Sequence, residues 1–364
     1  MKRQKLVGII HELTMGGAER MMVTILNHFV ANKDEVHLII FKNIGTLKEL
    51  LDKRIIVHDL EQLSVKKGMP KCLKDIYTIK PTIVFSGIGH LNIALAPFIP
   101  IMRRLLPQTR WISRETNIVS LQNQEEKYPK FFNYLYRNMY KNFDSIIAQS
   151  KDMREDLEKN YPSTLSQLRL INNPIDIKKV EKLASEPIEY QFKEEMITLV
   201  SVGTLRERKR HDLLLKAFSC LPSNYLLLII GSGAEEQNLK RLSHELKINH
   251  RVYFEGHQTN PYPYMKGADL FVLTSEHEGF PNVLLESNSL GTPVVAFACL
   301  GGITEIIEEG INGLSVLNGD VDALVKSIID ATKLEFEESL VVDSVQRRYS
   351  KEIILKRYED VFYA

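Results

Sequence analysis

The chain has 364 residues, 44% of them hydrophobic and 26% charged, with a net charge of +1. This is ordinary globular composition, long enough for two cores, and it excludes a disordered or fibrous protein. Three scattered cysteines, Cys72, Cys220 and Cys299, exclude a disulfide framework and a cysteine-spaced metal site, and they imply a reducing compartment.

Charge is unevenly spread. Residues 1–175 hold 26 Lys+Arg against 17 Asp+Glu, a net +9, which leaves −8 for the remainder. The bias is steepest between Lys66 and Arg110, where Lys66, Lys67, Lys71, Lys74, Lys80, Arg103 and Arg104 face Asp75 alone. A basic face beside apolar residues suits an anionic membrane surface, and it suits plain solvation equally. No recognition pattern for nucleic acid appears. The basic start, Met1 to Glu12, has too short an apolar run for a signal peptide. The apolar stretch Ile93 to Met102 holds Pro97 and Pro100 and is too short to span a bilayer.

Leu6–His11 reads as a strand. It leads through Glu12–Arg20, with Gly16-Gly17, into a helix carrying Met22, Ile25, Leu26 and Phe29 at helical spacing. That order places backbone N–H groups at a strand's carboxyl end; a tight turn accounts for the glycine pair as well. Further strands are predicted at Val36–Phe41, Ile55–Leu60, Thr82–Phe85, Arg110–Ser113, Ser145–Ala148 and Leu168–Ile171, with helical stretches between them. This alternation predicts a parallel sheet covered on both faces. Two of the strand ends carry polar clusters, Ser86–His90 and Ser113–Asn117. Because ligands bind at carboxyl ends, His90, Arg114, Glu115 and Asn117 are candidates for ligand contact. His90 reads as a loop residue rather than a catalyst. Gln124–Asn142, rich in Tyr and Phe, reads as one long helix with packing aromatics.

Asn172-Asn173-Pro174-Ile175-Asp176 reads as a linker, separating a domain of residues 1–175 from one of 176–348. The alternation restarts with strands at Ile197–Val202, Tyr225–Ile230, Val252–Phe254, Leu270–Thr274, Val294–Ala298 and Leu314–Val316. Two such sets predict an α/β protein of two Rossmann-like β/α/β domains facing across a deep cleft.

After the first strand of the second set comes Gly203-Thr204-Leu205-Arg206-Glu207-Arg208-Lys209-Arg210, whose cations could neutralise a leaving diphosphate; a basic loop before the helix Asp212–Cys220 is the plainer reading. Gly231-Ser232-Gly233 reads as a tight strand–helix turn rather than a nucleotide loop. Asp320-Val321-Asp322 reads as a helix cap rather than a metal site. Ala268–Thr274 is an apolar strand running into Ser275-Glu276-His277-Glu278-Gly279-Phe280-Pro281-Asn282-Val283-Leu284-Leu285-Glu286. Pro281 suits a helix's first turn, and Gly291-Thr292-Pro293 stops the helix near Leu290. The N–H groups of Asn282, Val283 and Leu284 would then be bare, between carboxylates Glu278 and Glu286. Such a site suits a ligand that is part phosphate and part polyol. The final helix, Lys351–Tyr363, carries Ile353, Ile354, Leu355, Tyr358, Val361 and Phe362.

The run Glu278-Gly-Phe-Pro-Asn-Val-Leu-Leu-Glu286, continued by Gly291-Thr292-Pro293-Val294-Val295-Ala296, resembles the Glu-x7-Glu signature of family 4 glycosyltransferases, which have the GT-B fold. Gly203–Lys209 is similar to that family's Val-Gly-Arg-Leu-x3-Lys segment. Thr204 stands at the usual Arg, and Arg208-Lys209 matches the adjacent Arg-Lys version, which leaves Arg206 and Arg208 as alternatives. Gly16-Gly17-Ala18-Glu19-Arg20 is similar to the family's glycine loop. Arg114-Glu115 stands near where many relatives carry a His.

The resemblance implies retaining transfer of a sugar from a nucleotide diphosphate, with UDP expected by family frequency. It implies donor contacts from Gly16, Gly17, Gly203, Arg206, Arg208, Lys209, Glu278, Gly279, Phe280, Pro281, Asn282, Val283, Leu284 and Glu286. Glu278, Lys209 and Arg208 are the expected catalytic set, with Glu278 on the sugar hydroxyls and Glu286 on the ribose. Glu255-Gly256-His257 should lie near the base, and residues 349–364 should return to the first domain. No metal or other cofactor is expected. The expected acceptor, held by the first domain with His90, Arg114, Glu115 and Asn117 as its contact candidates, is a saccharide, lipid-linked at the inner face of the plasma membrane, as in bacterial surface polysaccharide or lipopolysaccharide synthesis. The expected enzyme is cytoplasmic and peripheral. A nucleotide-sugar epimerase and a non-catalytic nucleotide-sugar binder are the competing readings.

Overall fold

A computed structural model describes residues 4–14, 16–193 and 195–364. Met1–Arg3 of the basic start and Met15 of the glycine loop lie outside the described residues. The chain divides into two compact units. The first holds residues 1–173 and 355–364, and the second holds residues 174–354.

The first unit has a seven-stranded parallel sheet of β1 (Lys5–Ile10), β2 (Glu35–Ile40), β3 (Ile56–Asp59), β4 (Ile83–Ser86), β5 (Arg110–Arg114), β6 (Ser145–Ala148) and β7 (Leu168–Leu170). Its spatial order is β3-β2-β1-β4-β5-β6-β7. The second has six parallel strands, β8 (Ile197–Val202), β9 (Tyr225–Ile230), β10 (Val252–Gly256), β11 (Leu270–Leu273), β12 (Val294–Phe297) and β13 (Gly313–Val316), in the order β10-β9-β8-β11-β12-β13. Each predicted strand is present to within two residues.

These strands are near-continuous apolar runs because both faces of each sheet are covered. In the second unit the two faces are explicit. Leu199, Leu227, Leu270 and Val295 enter one core, while their chain neighbours Val200, Leu228, Phe271 and Val294 enter the other. Each sheet reverses its winding once, between β1 and β4 in the first and between β8 and β11 in the second. Open α/β sheets bind ligands beside that reversal, at the strands' carboxyl ends.

Residues 355–364 complete the first unit. Phe362 stacks on Phe29, with ring centroids 4.6 Å apart, and meets Phe85 at 5.1 Å. The expected helix over 124–142 is broken: Val119–Glu125 and Pro129–Met139 are separate helices, followed by a 3-10 turn at Tyr140–Asn142. Pro129 is the cause, since the residue before a proline avoids helical geometry.

Candidate active site

The loops that follow β8 and β11 meet beside the reversal of the second sheet. After β8 the chain passes Gly203 and makes a 3-10 turn, Glu207–Lys209, before the helix His211–Ser219. Gly231 stands so near Gly203 that a Cβ on it would lie 1.8 Å from the Gly203 carbonyl oxygen, and its φ of +142° is a glycine conformation. The Gly231–Gly233 loop therefore packs the Gly203 loop, which fits its reading as a tight turn.

Four bonds tie the 3-10 turn to the loop after β11. Thr274 Oγ1 donates to the Lys209 carbonyl at 3.1 Å, and the Glu276 N–H donates to the Arg208 carbonyl at 2.9 Å. Arg208 Nη1 donates to the His277 carbonyl at 2.5 Å, and Lys209 Nζ donates to Glu278 Oε1 at 2.6 Å. Arg208 Nη1 also lies 3.6 Å from Glu278 Oε2. The backbone of Glu278 is held too. Its N–H donates to the Leu300 carbonyl at 2.8 Å, and a Cβ on Gly301 (φ +119°) would lie 2.2 Å from its carbonyl oxygen.

Glu278 is only 7% exposed. Burial alone would raise its carboxyl pKa, but the charge and hydrogen bond of Lys209, with help from Ser275 and Arg208, hold it below the usual carboxylate range. The result is an ionised carboxylate sharing two cations. Arg206, by contrast, is exposed, and its side chain has no partner among the described residues. The structure thus brings Arg208, rather than Arg206, to Glu278.

The helix after this loop is Asn282–Ser289, and Pro281 is its cap rather than its first residue. The Asn282 N–H donates to the Phe280 carbonyl and the Leu284 N–H to the Pro281 carbonyl, each at 3.0 Å. Two of the three N–H groups expected to be bare are therefore used inside the turn, because the cap tightens it. Gly279, Phe280 and Pro281 are buried, while Val283 is half-buried. Glu286 is half-buried on the helix, and Tyr262 OH donates to its Oε1 at 3.2 Å. Glu255-Gly256-His257 closes β10, where Gly256 has a φ of +66° and accepts from the Gly231 N–H at 2.7 Å.

In the first unit, Gly16 precedes the helix Gly17–Ala31 and Gly17 is exposed. The Glu19 carboxylate folds back over Gly16, close enough that a Cβ there would lie 2.0 Å from its Oε2. Burial raises the Glu19 pKa, and the residue's own backbone N–H opposes this. His90 lies in the helix Gly89–Leu95 rather than in a loop, exposed, with its ring edge-on to His11 at 5.7 Å. Asn117 Nδ2 donates to Gln122 Oε1 at 3.4 Å.

Arg114 and Glu115 stand at the expected strand end, and both side chains lie in the interior. Arg114 is the last residue of β5 and is 1% exposed; Glu115 is fully buried. Arg114 Nη2 donates to Asn173 Oδ1 at 2.6 Å. Glu115 Oε1 accepts from Asn92 Nδ2 at 2.9 Å and from Tyr140 OH. Burial pushes the Glu115 carboxyl up, against the lowering effect of these bonds. Glu115 is interior because Asn92 of the helix Gly89–Leu95 and Tyr140 close over it, and Arg114 because Asn173 and Tyr358 do.

Thr274, Gly301, Tyr262 and Glu19 were missed by sequence reasoning. Tyr262 follows Asn260-Pro261, a turn signal, but nothing local ties it to Glu286. Asp320 caps its helix as expected, its Oδ1 accepting from the Ala323 N–H at 2.9 Å. The three cysteines are free. Among the described residues no group of three or more His, Cys, Asp or Glu could hold a metal ion.

Two doubly wound parallel units of this kind are the GT-B architecture. The fold matches the Anabaena HepE protein in complex with UDP at a TM-score of 0.80, with 18% identity over 99% of each chain. It matches a lipopolysaccharide outer core galactosyltransferase at 0.76, with 19% identity over 99% of each. The family described as Glycosyltransferase Family 4 matches residues 15–179, and that described as Glycosyl transferases group 1 matches residues 185–348. An uncharacterised glycosyltransferase of Haemophilus influenzae is 34% identical over 86% of each chain. The N-acetylgalactosamine-N,N'-diacetylbacillosaminyl-diphospho-undecaprenol 4-alpha-N-acetylgalactosaminyltransferase of Campylobacter jejuni is 28% identical over 86% of each. The chain belongs to glycosyltransferase family 4 and is a glycosyltransferase.

Proposed function

We propose that the protein is a retaining glycosyltransferase that moves a sugar from a UDP-sugar to a hydroxyl of a lipid-linked saccharide in bacterial surface polysaccharide or lipopolysaccharide synthesis. The observation that carries this reading is the Lys209–Glu278 pair, with Arg208 beside it, at the reversal of the second sheet. The relatives support the substrate classes. One acts on a diphospho-undecaprenol-linked saccharide, and another is a lipopolysaccharide 1,6-galactosyltransferase of Salmonella typhimurium.

In this mechanism Lys209 and Arg208 meet the charge that builds on the departing diphosphate. Fixed cations in a water-poor site stabilise such charge strongly. Glu278 accepts hydrogen bonds from the donor sugar, and Glu286, oriented by Tyr262, accepts them from the ribose. The acceptor oxygen bonds to the anomeric carbon as the bond to the diphosphate breaks. The acceptor's proton passes to the leaving phosphate oxygen on the same face, so no enzyme base is required. Side-chain cations supply the counter-charge, and the reaction accordingly proceeds without a metal. The enzyme works as a peripheral protein on the inner face of the plasma membrane, and no described helix is long and apolar enough to cross a membrane.

The test is a nucleotide-sugar screen in EDTA, reading nucleoside diphosphate release with and without a lipid-linked acceptor extract. Release that requires one donor and the extract is expected. Acceptor-independent conversion of donor to an isomer, or saturable donor binding without turnover in either condition, would overturn the reading.

A further inference from the structure

The dipeptide Asn-Gly occurs twice in the chain, at 312–313 and at 318–319, one at each end of β13. The fold treats the two in opposite ways. Asn312 is fully buried. Its Nδ2 donates to the Ile306 carbonyl at 3.0 Å and to Ser344 Oγ at 2.8 Å, and its Oδ1 accepts from the Glu308 N–H at 2.8 Å. Gly313 pairs with Val294 in the sheet. Neither residue can move without breaking core bonds.

Asn318 and Gly319 are exposed. The Asp320 N–H donates to the Leu317 carbonyl at 3.1 Å, which closes a four-residue turn with Gly319 at φ +84°. Glycine suits that third position, and a Cβ there would meet nothing within 4 Å. The Asn318 side chain reaches out of the turn: its Nδ2 donates to the Glu276 carbonyl at 3.0 Å. Glu276 stands two residues before Glu278, and its N–H donates to the Arg208 carbonyl at 2.9 Å. The next carbonyl, that of His277, accepts from Arg208 Nη1. The backbone leading to Glu278 is thus held both by the turn that carries Arg208 and Lys209 and by Asn318.

We propose that Asn318 positions the Glu278 loop and that the Asn318–Gly319 turn is a site of spontaneous deamidation that releases it. The chemistry needs only water. The backbone nitrogen of Gly319, giving up its proton, attacks Asn318 Cγ, and the side-chain amide nitrogen leaves as ammonia. Water then opens the cyclic imide at either carbonyl, which yields an aspartate or an isoaspartate and adds a negative charge. Glycine leaves the attacking nitrogen unhindered, and an exposed turn opens locally at low cost, whereas the buried Asn312–Gly313 pair does not. A carboxylate only accepts hydrogen bonds, so the product cannot donate to the Glu276 carbonyl and repels it instead. The isoaspartate form also lengthens the backbone by a methylene. The inference rests on the transferase site proposed above and places a covalent off-switch on the loop that carries its carboxylate.

Incubation of the full chain in warm, mildly alkaline buffer tests the site, with peptide mapping that distinguishes asparagine, aspartate and isoaspartate. Position 318 should convert before any other asparagine, and position 312 should remain an amide. Turnover should fall in step with the converted fraction. Fresh Asn318→Asp should show a kcat about tenfold lower at little-changed donor KM, the size of one hydrogen bond replaced by a repulsion, with an unchanged melting midpoint. Asn318→Gln still donates, and its longer side chain closes an imide far more slowly. It should keep most of the turnover and hold it through the same incubation. Hydrogen exchange over residues 275–278 reads the loop without substrate, and it should be faster in Asn318→Asp than in wild type. Conversion spread evenly over the asparagines, turnover that ignores conversion at 318, or exchange unchanged by Asn318→Asp would overturn the proposal. If fresh wild-type protein turns over no donor, the transferase reading fails, while mapping and exchange still decide this one.

Discussion

Each sheet keeps a buried glutamate near the carboxyl ends of its strands, and the two are pushed in opposite directions. Glu278 in the second unit is paired with Lys209 at 2.6 Å and held below the usual carboxylate range. Glu115 in the first is bonded to Asn92 and Tyr140, and burial pushes it up. Burial is similar; the partner differs. A cation at contact distance outweighs desolvation, whereas neutral donors do not. A carboxylate kept ionised beside cations is prepared for chemistry with charge. One raised by burial beside Asn92 and Tyr140 is held by neutral donors instead.

The most severe break of this contrast is removal of either member of the pair. Glu278→Ala and Lys209→Ala should each lower turnover about a hundredfold, the order of one lost transition-state contact. Steady-state rates on the donor found in the screen would measure it, and near-normal activity would remove that residue from the site. The isosteric exchange sharpens the contrast. Glu278→Gln should lose most activity, while Glu115→Gln should keep turnover within about threefold and stability within about 1 kcal/mol, because a raised carboxyl already resembles an amide. Denaturant melts and rates of both variants check this.

The pH dependence of stability should separate the two sites by sign. For Glu278, lowered in the fold, the stabilisation is present above the ordinary carboxylate pKa and is lost as pH falls through the lower folded value. For Glu115, raised in the fold, it is present below the ordinary value and is lost as pH rises through the higher one. Melts across the acid range, comparing each Gln variant with wild type, should therefore give difference curves of opposite slope. The smallest effect belongs to Tyr262→Phe. Loss of one hydrogen bond to Glu286 should raise the donor KM about fivefold with little change in kcat, the size of about 1 kcal/mol.

The same contrast explains what was legible in the sequence. The strands were, because strands buried on both faces are written as unbroken apolar runs bounded by turns. The Glu278 loop was legible as a strand end followed by a helix, and its link to Lys209, 69 residues away, came through resemblance to a family. Arg114 and Glu115 present the same local pattern, polar residues at a strand end, yet lie inside. Whether a strand end is open or roofed depends on helices distant in sequence, and no local spacing encodes that. The aromatic run over 124–142 hid its break because Pro129 interrupts the backbone without interrupting the hydrophobic pattern. Pro281 misled in a smaller way, since a cap and a first turn differ by one residue and only the capping bonds tell them apart.

The assignment of residues 355–364 to the first unit has a consequence for biogenesis. A ribosome delivers residues 1–173 first, but the ring that stacks on Phe29 and meets Phe85 belongs to residue 362. The nascent amino-terminal half therefore waits, with part of its aromatic core uncovered, while the whole second unit is made and can fold as a unit by itself. Completion of the older half follows synthesis of the second unit, so a chain stalled within that unit, before residue 355, has all seven strands of the first sheet but carries an exposed apolar seam at Phe29 and Phe85 for chaperones to find.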